Sequence, residues 1–137
     1  MVNKSKIKGT AAETRVVNFL LAAGVEARRI ALKGSLDEGD IYVVNKNIGS
    51  GDRILEVKAG KQTLKVSRQQ LDDWICEADV EGIHAGGLLA YLVLAKHGSS
   101  VKDYRVYKMI IGSLPWSRRR EFMYLDEFAR FVGGRPE

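Results

Sequence analysis

Residues 88–95, which read LLAYLVLA, form an unbroken apolar run, and this run limits the fold more than any other part of the chain. It is far shorter than the roughly 20 apolar residues that a membrane-spanning helix needs. A continuous apolar run of this length is typical of a strand that is covered on both faces. We therefore expect a sheet with helices on both sides and this strand near its middle.

A helical pattern precedes this run, and a further strand pattern precedes the helix. Residues 53–59 (RILEVKA) are typical of a strand, and Ser67 then opens a helical segment that ends near Gly82. The apolar residues of that segment fall on one helical stripe: Leu71, Trp74, Ile75 and Ala78. The connection is a β-to-α-to-β crossover, so we expect the two strands to pair in parallel.

The rest of the chain completes a single α/β domain. Helical spacing before Gly24 predicts a first helix over residues 10–23, with Val16, Val17, Leu20 and Leu21 on one face. Residues 27–33 and 40–45 predict a hairpin, residues 104–110 a last, more exposed strand, and Leu125, Phe128, Ala129 and Val132 a final helix. The predicted order is αβββαββα, a mixed sheet flanked by helices within one domain (1–137), with a basic arm over residues 1–8 and a flexible tail over 133–137.

The charge of the chain favours a polyanionic partner. Lys and Arg number 22 against 17 Asp and Glu, a formal net charge of +5. An ordinary solvated basic surface is the alternative. We expect nucleic acid to contact the basic residues Lys4, Lys6, Lys8, Arg28, Arg29, Lys33, Lys61, Arg118, Arg119 and Arg120. Trp116, beside the last of these, could stack on an unpaired base or pack on the sheet edge.

The N-terminal residues contain no apolar targeting segment, and the single cysteine, Cys76, cannot form an intrachain disulfide. These two features predict a cytoplasmic protein that does not enter a membrane. His84 and His97 are too isolated in the sequence to predict a zinc site.

Two acids and a lysine are the strongest sign of chemistry in the chain. Glu56 and Lys58 alternate with Val57 on one strand, so their side chains point to the same face, and Asp40 begins the preceding strand. If these strands are neighbours, two carboxylates converge beside one ammonium. Carboxylates of this kind hold Mg²⁺ together with substrate phosphate. Lys58 could orient an attacking water, stabilise negative charge in the transition state or, with a lowered pKa, transfer a proton.

The pattern Gly9-x-x-x-Glu13, Asp37-x-Gly39-Asp40-Ile41 and Glu56-Val57-Lys58 resembles the PD-(D/E)XK nuclease superfamily, above all its Holliday junction resolvase-like members. Gly39 stands where the family name has proline, a position that shapes a turn and supplies no ligand. The resemblance implies a restriction-endonuclease-like core and an endodeoxyribonuclease that hydrolyses phosphodiesters in branched DNA with Mg²⁺ or Mn²⁺. It also implies that Asp40, Glu56 and Glu13 bind the metal and that Lys58 is catalytic.

Several residues have a second interpretation. Glu13 could instead form a capping box with Thr10, and Gln70 could do so with Ser67. Asp37 and Ser35 could support the metal site or belong to a simple polar turn. The resemblance places Gln70, Asp37 and Ser35 around the metal ligands.

Symmetric cleavage of two strands requires two copies of the site, so we expect a homodimer. The compact chain also suits a phage or microbial gene by analogy. Three alternatives remain open: another nuclease on the same scaffold, such as a restriction-like, exonuclease or repair enzyme, a non-catalytic DNA-binding module, and an RNA-processing domain.

Overall fold

The computed structural model describes residues 4–30, 40–45, 51–86, 88–108 and 122–133, and for residues 4–10 it describes the backbone alone. The predictions at Lys33, Ser35, Asp37, Trp116, Arg118, Arg119 and Arg120 lie outside the described residues. Within the described ranges, every helix is too short or too polar to cross a membrane.

Three helices and six strands make up the described part of the chain. The helices are α1 (Lys4–Ala22), α2 (Arg68–His84) and α3 (Leu125–Phe131). The strands are β1 (Ala27–Arg29), β2 (Ile41–Val43), β3 (Arg53–Gly60), β4 (Leu89–Lys96), β5 (Arg105–Tyr107) and β6 (Phe122–Tyr124). Short 3-10 turns follow β3 (Lys61–Leu64) and β4 (Val101–Asp103). The α/β class is confirmed, and the structure adds one strand, β6, before the last helix.

All six strands form one mixed sheet in the order β1-β2-β3-β4-β5-β6. β3 and β4 pair in parallel from Arg53 opposite Leu89 to Gly60 opposite Lys96, and every other neighbouring pair is antiparallel. The predicted hairpin and the predicted parallel pair are both confirmed. α2 connects β3 to β4 because parallel neighbours cannot be joined by a tight turn.

One face of the sheet is covered by α1 and α3. Ala12, Val16 and Leu20 of α1 are fully buried against the sheet, together with Phe128 of α3. These α1 residues are spaced i, i+4, so they form a single apolar stripe. Most of the predicted face is confirmed, because Val16 and Leu20 are buried and Val17 packs against the core, whereas Leu21 is half exposed.

The opposite face is covered by α2, which packs over β3 and β4. The helix begins as predicted, because Ser67 Oγ accepts a hydrogen bond from the Gln70 N–H at 3.1 Å. The predicted apolar stripe is buried: Leu71, Trp74, Ile75 and Ala78. Gly82 approaches the chain before β4 so closely that a Cβ there would lie 2.4 Å from the Leu88 carbonyl oxygen. Helices therefore cover both faces of β3.

The structure corrects two predictions: the separate N-terminal arm and the exposed last strand. α1 begins at Lys4, so Lys4, Lys6 and Lys8 lie on a helix and not on a separate arm. Lysine and alanine favour helix, and the helix tolerates Gly9 at a cost of about 1 kcal/mol. β6 pairs with β5, which makes β5 an inner strand with two of its three residues buried, and not the exposed last strand.

Candidate metal centre

The candidate site lies where β2 begins, beside the C-terminal half of β3. At this end Ile41 pairs with Leu55, and the Asp40 N–H then donates to the Leu55 carbonyl oxygen at 3.0 Å. β3 continues to Gly60, whereas the described β2 residues pair with it no further than Leu55. The side chains in the second half of β3 therefore come next to Asp40.

The Asp40 carboxylate is held against the backbone of β3. Its Oδ2 accepts a hydrogen bond from the Val57 N–H at 2.7 Å. Burial and the neighbouring Glu56 carboxylate raise the pKa of Asp40 to about 8, against the opposing effect of the Val57 hydrogen bond. Glu13 adds to this rise. Without a cation beside it, Asp40 is largely protonated at neutral pH.

Glu56 and Lys58 lie on the α2 side of β3, as the alternation predicts. Lys58 Nζ is 3.7 Å from Glu56 Oε1 and 3.1 Å from Glu77 Oε1, and it lies 5.7 Å from the centroid of the Trp74 ring. Burial alone would lower the pKa of Lys58, but Glu56, Glu77 and Asp40 outweigh burial and raise it. These surroundings keep Lys58 an ammonium and do not favour a neutral amine.

Glu13 approaches from α1, on the other face of the sheet. Its Oε1 lies 3.2 Å from Arg29 Nε of β1, and its side chain is 17% exposed. The effect of Glu13 on the pKa of Asp40 places the two carboxylates near each other. The capping-box interpretation of Glu13 is wrong, because Thr10 lies inside α1 and a capping residue must precede the first turn.

A second group of carboxylates involves α2 and was missed in the sequence. One ligand atom from each of Glu56, Glu77 and Glu81 lies within 4.8 Å of the others. Glu77 and Glu81 are spaced i, i+4 on one side of the helix. That spacing was the available signal, but it is equally typical of a solvated helical surface. The ion pairs of Lys58 offset part of the negative charge of this group.

Three further predicted residues, Gln70, Lys61 and Arg28, are exposed, and their described contacts do not involve Asp40 or Glu56. Gln70 is exposed in the first turn of α2, where its backbone is capped, and none of its described contacts reaches Asp40 or Glu56. Lys61 is exposed directly after β3. Arg28 is exposed and stacks on Tyr42, with its guanidinium carbon 4.9 Å from the ring centroid.

The donor set of Asp40 and Glu56 fits a hard divalent cation such as Mg²⁺ or Mn²⁺. Both residues offer carboxylate oxygens from adjacent strands, which is the ligand type that these ions prefer. A bound cation would relieve the repulsion that helps to raise the pKa of Asp40 to about 8. Glu13 provides a third carboxylate nearby.

Together, the six-stranded mixed sheet and the helices on both of its faces define an α/β domain with an acidic site on its second and third strands. This fold is similar to that of Hjc from Archaeoglobus fulgidus, a Holliday junction resolvase from an archaeal hyperthermophile. The TM-score is 0.51 and the sequence identity 21%, and the similarity covers 88% of this chain and 99% of Hjc. No family model and no curated protein sequence matches the chain.

Proposed function

We propose that this protein is a metal-dependent endodeoxyribonuclease that hydrolyses phosphodiesters in branched DNA, as a Holliday junction resolvase does. The observation that carries the proposal is the pair of converging carboxylates, Asp40 and Glu56, beside the ammonium of Lys58. The fold similarity to Hjc and the PD-(D/E)XK-like motif support the same assignment.

In this proposal Asp40, Glu56 and Glu13 hold Mg²⁺ or Mn²⁺. The Val57 N–H holds the Asp40 carboxylate at 2.7 Å, so that this ligand is in place before the metal arrives. When bound, the ion supplies positive charge that favours ionisation of water and offsets the charge developing on the attacked phosphodiester. The Asp40 proton must leave before its carboxylate can bind the cation.

Lys58 acts as a fixed positive charge. Its ammonium lies between Glu56 and Glu77, so it can donate to a phosphate oxygen or to the attacking water without first losing its own proton. The buried Trp74 ring lies 5.7 Å from Lys58 Nζ, a cation–π distance at which the ring stabilises the ammonium. We therefore assign Lys58 an electrostatic and orienting role.

The net charge of +5 supports a nucleic-acid partner. We propose that Arg28 and Lys61, both exposed, contact DNA together with the basic residues outside the described ranges. Arg29 differs from them, because it pairs with Glu13 and so positions a proposed metal ligand.

We propose that the active form is a homodimer inside the cell, since symmetric cleavage of a junction needs two sites. The aromatic side chains of Phe122, Tyr124 and Phe131 are exposed, and the rings of Phe122 and Tyr124 on β6 lie 5.4 Å apart, so this aromatic surface supports self-association.

A panel of labelled substrates tests this proposal. The wild-type protein is incubated with a four-way junction, linear duplex, single-stranded DNA and RNA, each with Mg²⁺, Mn²⁺ or EDTA. Metal-dependent paired nicks near the branch are the expected result. If only linear DNA or RNA is cleaved, the proposed branched-DNA substrate is wrong but the proposed hydrolytic site is retained. Tight junction binding without cleavage would favour a non-catalytic DNA-binding module.

A further inference from the structure

A cavity of about 380 Å³ lies at the C-terminal ends of the parallel strands β3 and β4, between these strands and α1. Small residues line its base: Ala59 and Gly60 end β3, and Ala95 lies opposite Ala59 on β4. Gly60 has a φ of 92°, and a Cβ built there would meet nothing within 4 Å. The small residues leave room for a ligand group above the strand ends.

The polar lining of this cavity is basic. Arg15 of α1, Lys96 at the end of β4 and His97 in the following turn all contribute, and none of the described residues that line the cavity is acidic. Arg15 Nε donates a hydrogen bond of 3.0 Å to the hydroxyl oxygen of Tyr104, whose side chain is buried. The guanidinium is therefore anchored on one side, which reduces the conformational entropy that it loses when it binds an anion.

The edge of the cavity is held by a buried threonine. Thr63 Oγ1 donates to the Gly60 carbonyl oxygen at 2.7 Å and accepts from the His97 N–H at 2.8 Å. One hydroxyl therefore joins the turn after β3 to the turn after β4. Because Thr63 is only 3% exposed, this link is protected from water and fixes the spacing of the two turns.

The cavity lies on the same strand as the candidate metal centre. Gly60 is three residues from Val57, whose N–H binds Asp40, so the two places are separated by about 10 Å along β3. α1 contributes to both, since Glu13 belongs to the metal centre and Arg15 lines the cavity. Glu56 and Lys58 face α2 whereas the cavity faces α1, so a bound nucleic acid would reach both places only by passing the C-terminal ends of these strands.

We infer that this cavity binds a backbone phosphate of the nucleic acid. The inference rests on the proposed nuclease function and deepens it. Phosphate suits the site because a planar guanidinium, an ammonium and an imidazole line it, and the described part of the lining contains no carboxylate. A free phosphate ion has the same chemistry, and the experiment separates the two sources.

The test measures binding of a labelled four-way junction in EDTA at several KCl concentrations. Arg15→Met is expected to make the slope of log affinity against log salt shallower by about one, which is the loss of one phosphate contact. Arg130→Met is the matched control, because Arg130 is exposed on α3 and does not line the cavity. This control is expected to keep the wild-type slope.

Tyr104→Phe provides a second variant that leaves the charge unchanged. It removes the oxygen that anchors Arg15, so it is expected to weaken junction binding at low salt while the melting temperature stays close to that of the wild type. Calorimetric titration of the wild type and Arg15→Met with inorganic phosphate is the other arm. Equal salt slopes in Arg15→Met and Arg130→Met would overturn the inference. If inorganic phosphate still bound the wild type in that case, the cavity would be a site for free phosphate and not for the nucleic-acid backbone.

A cleavage assay of the wild type in Mg²⁺ distinguishes failure of the nuclease proposal from failure of the phosphate-site proposal. A shallower slope in Arg15→Met without any cleavage would reject the nuclease and retain a backbone-phosphate site. Cleavage together with an unchanged slope would retain the nuclease and reject the site. A wild-type protein that binds no nucleic acid would contradict both.

Discussion

The Asp40 carboxylate accepts a hydrogen bond of 2.7 Å from the Val57 N–H, across the boundary between β2 and β3. This contact fixes an acid from one strand beside Glu56, which precedes Val57 on the next strand. Burial disfavours the charged form of Asp40 and the neighbouring Glu56 carboxylate adds to this effect, so the pKa of Asp40 rises to about 8. A divalent cation at this place would favour the ionised form of Asp40 in place of its proton.

The first prediction concerns stability in the absence of metal. The folded-state pKa of Asp40 is about 8 and its reference value is 3.8, so between these pH values the folded protein holds a proton that the unfolded chain has lost. The free energy of unfolding should therefore fall as pH rises through this window, by at most about 1.4 kcal/mol per pH unit for one proton. Denaturant unfolding in EDTA from pH 4 to 9 measures this dependence.

Asp40→Asn should remove part of that fall, so its stability relative to the wild type should increase with pH. Asp103→Asn is the control, since Asp103 is exposed in the 3-10 turn after β4. Parallel pH curves for wild type and Asp40→Asn would mean that Asp40 is not the group that resists ionisation.

The second prediction concerns metal binding. Mg²⁺ or Ca²⁺ should raise the melting temperature, and more strongly at pH 9 than at pH 6, because the cation competes with the Asp40 proton. At a metal concentration 100 times Kd the stabilisation should be about 2.7 kcal/mol. Asp40→Asn and Glu56→Gln should lose this effect, as scanning calorimetry with and without EDTA can show.

Glu77→Gln separates the two acidic groups in the same experiment. Glu77 belongs to the group on α2 and does not contribute to the raised pKa of Asp40. We expect Glu77→Gln to keep the metal-dependent stabilisation. If it loses that stabilisation as completely as Glu56→Gln does, the metal binds between β3 and α2.

Local sequence patterns were sufficient to predict the elements that position this site. The alternation of Glu56 and Lys58 predicted their common face, and Ser67 marked the start of α2. The unbroken run of residues 88–95 predicted the buried strand beside β3, and its parallel pairing followed from the crossover. Each of these features depends on residues a few positions apart, or on the length of a connection.

Features that depend on packing between distant residues were not predicted. Lys58 meets Glu77 because α2 packs at a particular height over β3, which no local pattern encodes. Similarly, the pairing of Glu13 with Arg29 depends on how α1 lies on β1, and the sequence offered Thr10 as a nearer partner. β6 has only three residues and is paired on one side by β5, so its sequence carried too little signal.

The third prediction concerns Lys58. The surrounding carboxylates raise the pKa of Lys58, so we expect its positive charge to be the property that catalysis needs. Lys58→Met should therefore slow junction cleavage by about 100-fold or more, as the loss of a fixed electrostatic donor does. Lys58→Arg should recover part of the rate because it keeps the charge. Single-turnover cleavage in Mg²⁺ provides the measurement. A wild-type rate in Lys58→Met would exclude the orienting role.

The fourth prediction concerns the packing of α2. Gly82→Ala would place a Cβ 2.4 Å from the Leu88 carbonyl oxygen and 2.9 Å from Ala90 Cβ. Overpacking of this kind costs about 1–3 kcal/mol, which exceeds the roughly 1 kcal/mol that alanine gains in helix propensity. We expect lower stability in chemical denaturation and slower cleavage, since α2 carries Glu77 against Lys58.

Gly51→Ala is the control for this variant, because a Cβ at Gly51 meets nothing within 4 Å. It should leave stability within about 0.5 kcal/mol of the wild type. A Gly82→Ala protein as stable as Gly51→Ala would show that α2 can move away from β4 without loss of packing.

The most direct test of the proposed active site is the rate of strand cleavage in a four-way junction, measured against Mg²⁺ concentration for the wild type and Glu56→Gln. Junction binding and melting temperature are measured for both proteins, so that a folding defect is not mistaken for lost chemistry. The account predicts metal-dependent paired cleavage by the wild type and a loss of at least about 100-fold in Glu56→Gln with junction binding retained. Cleavage by Glu56→Gln at the wild-type rate would contradict it.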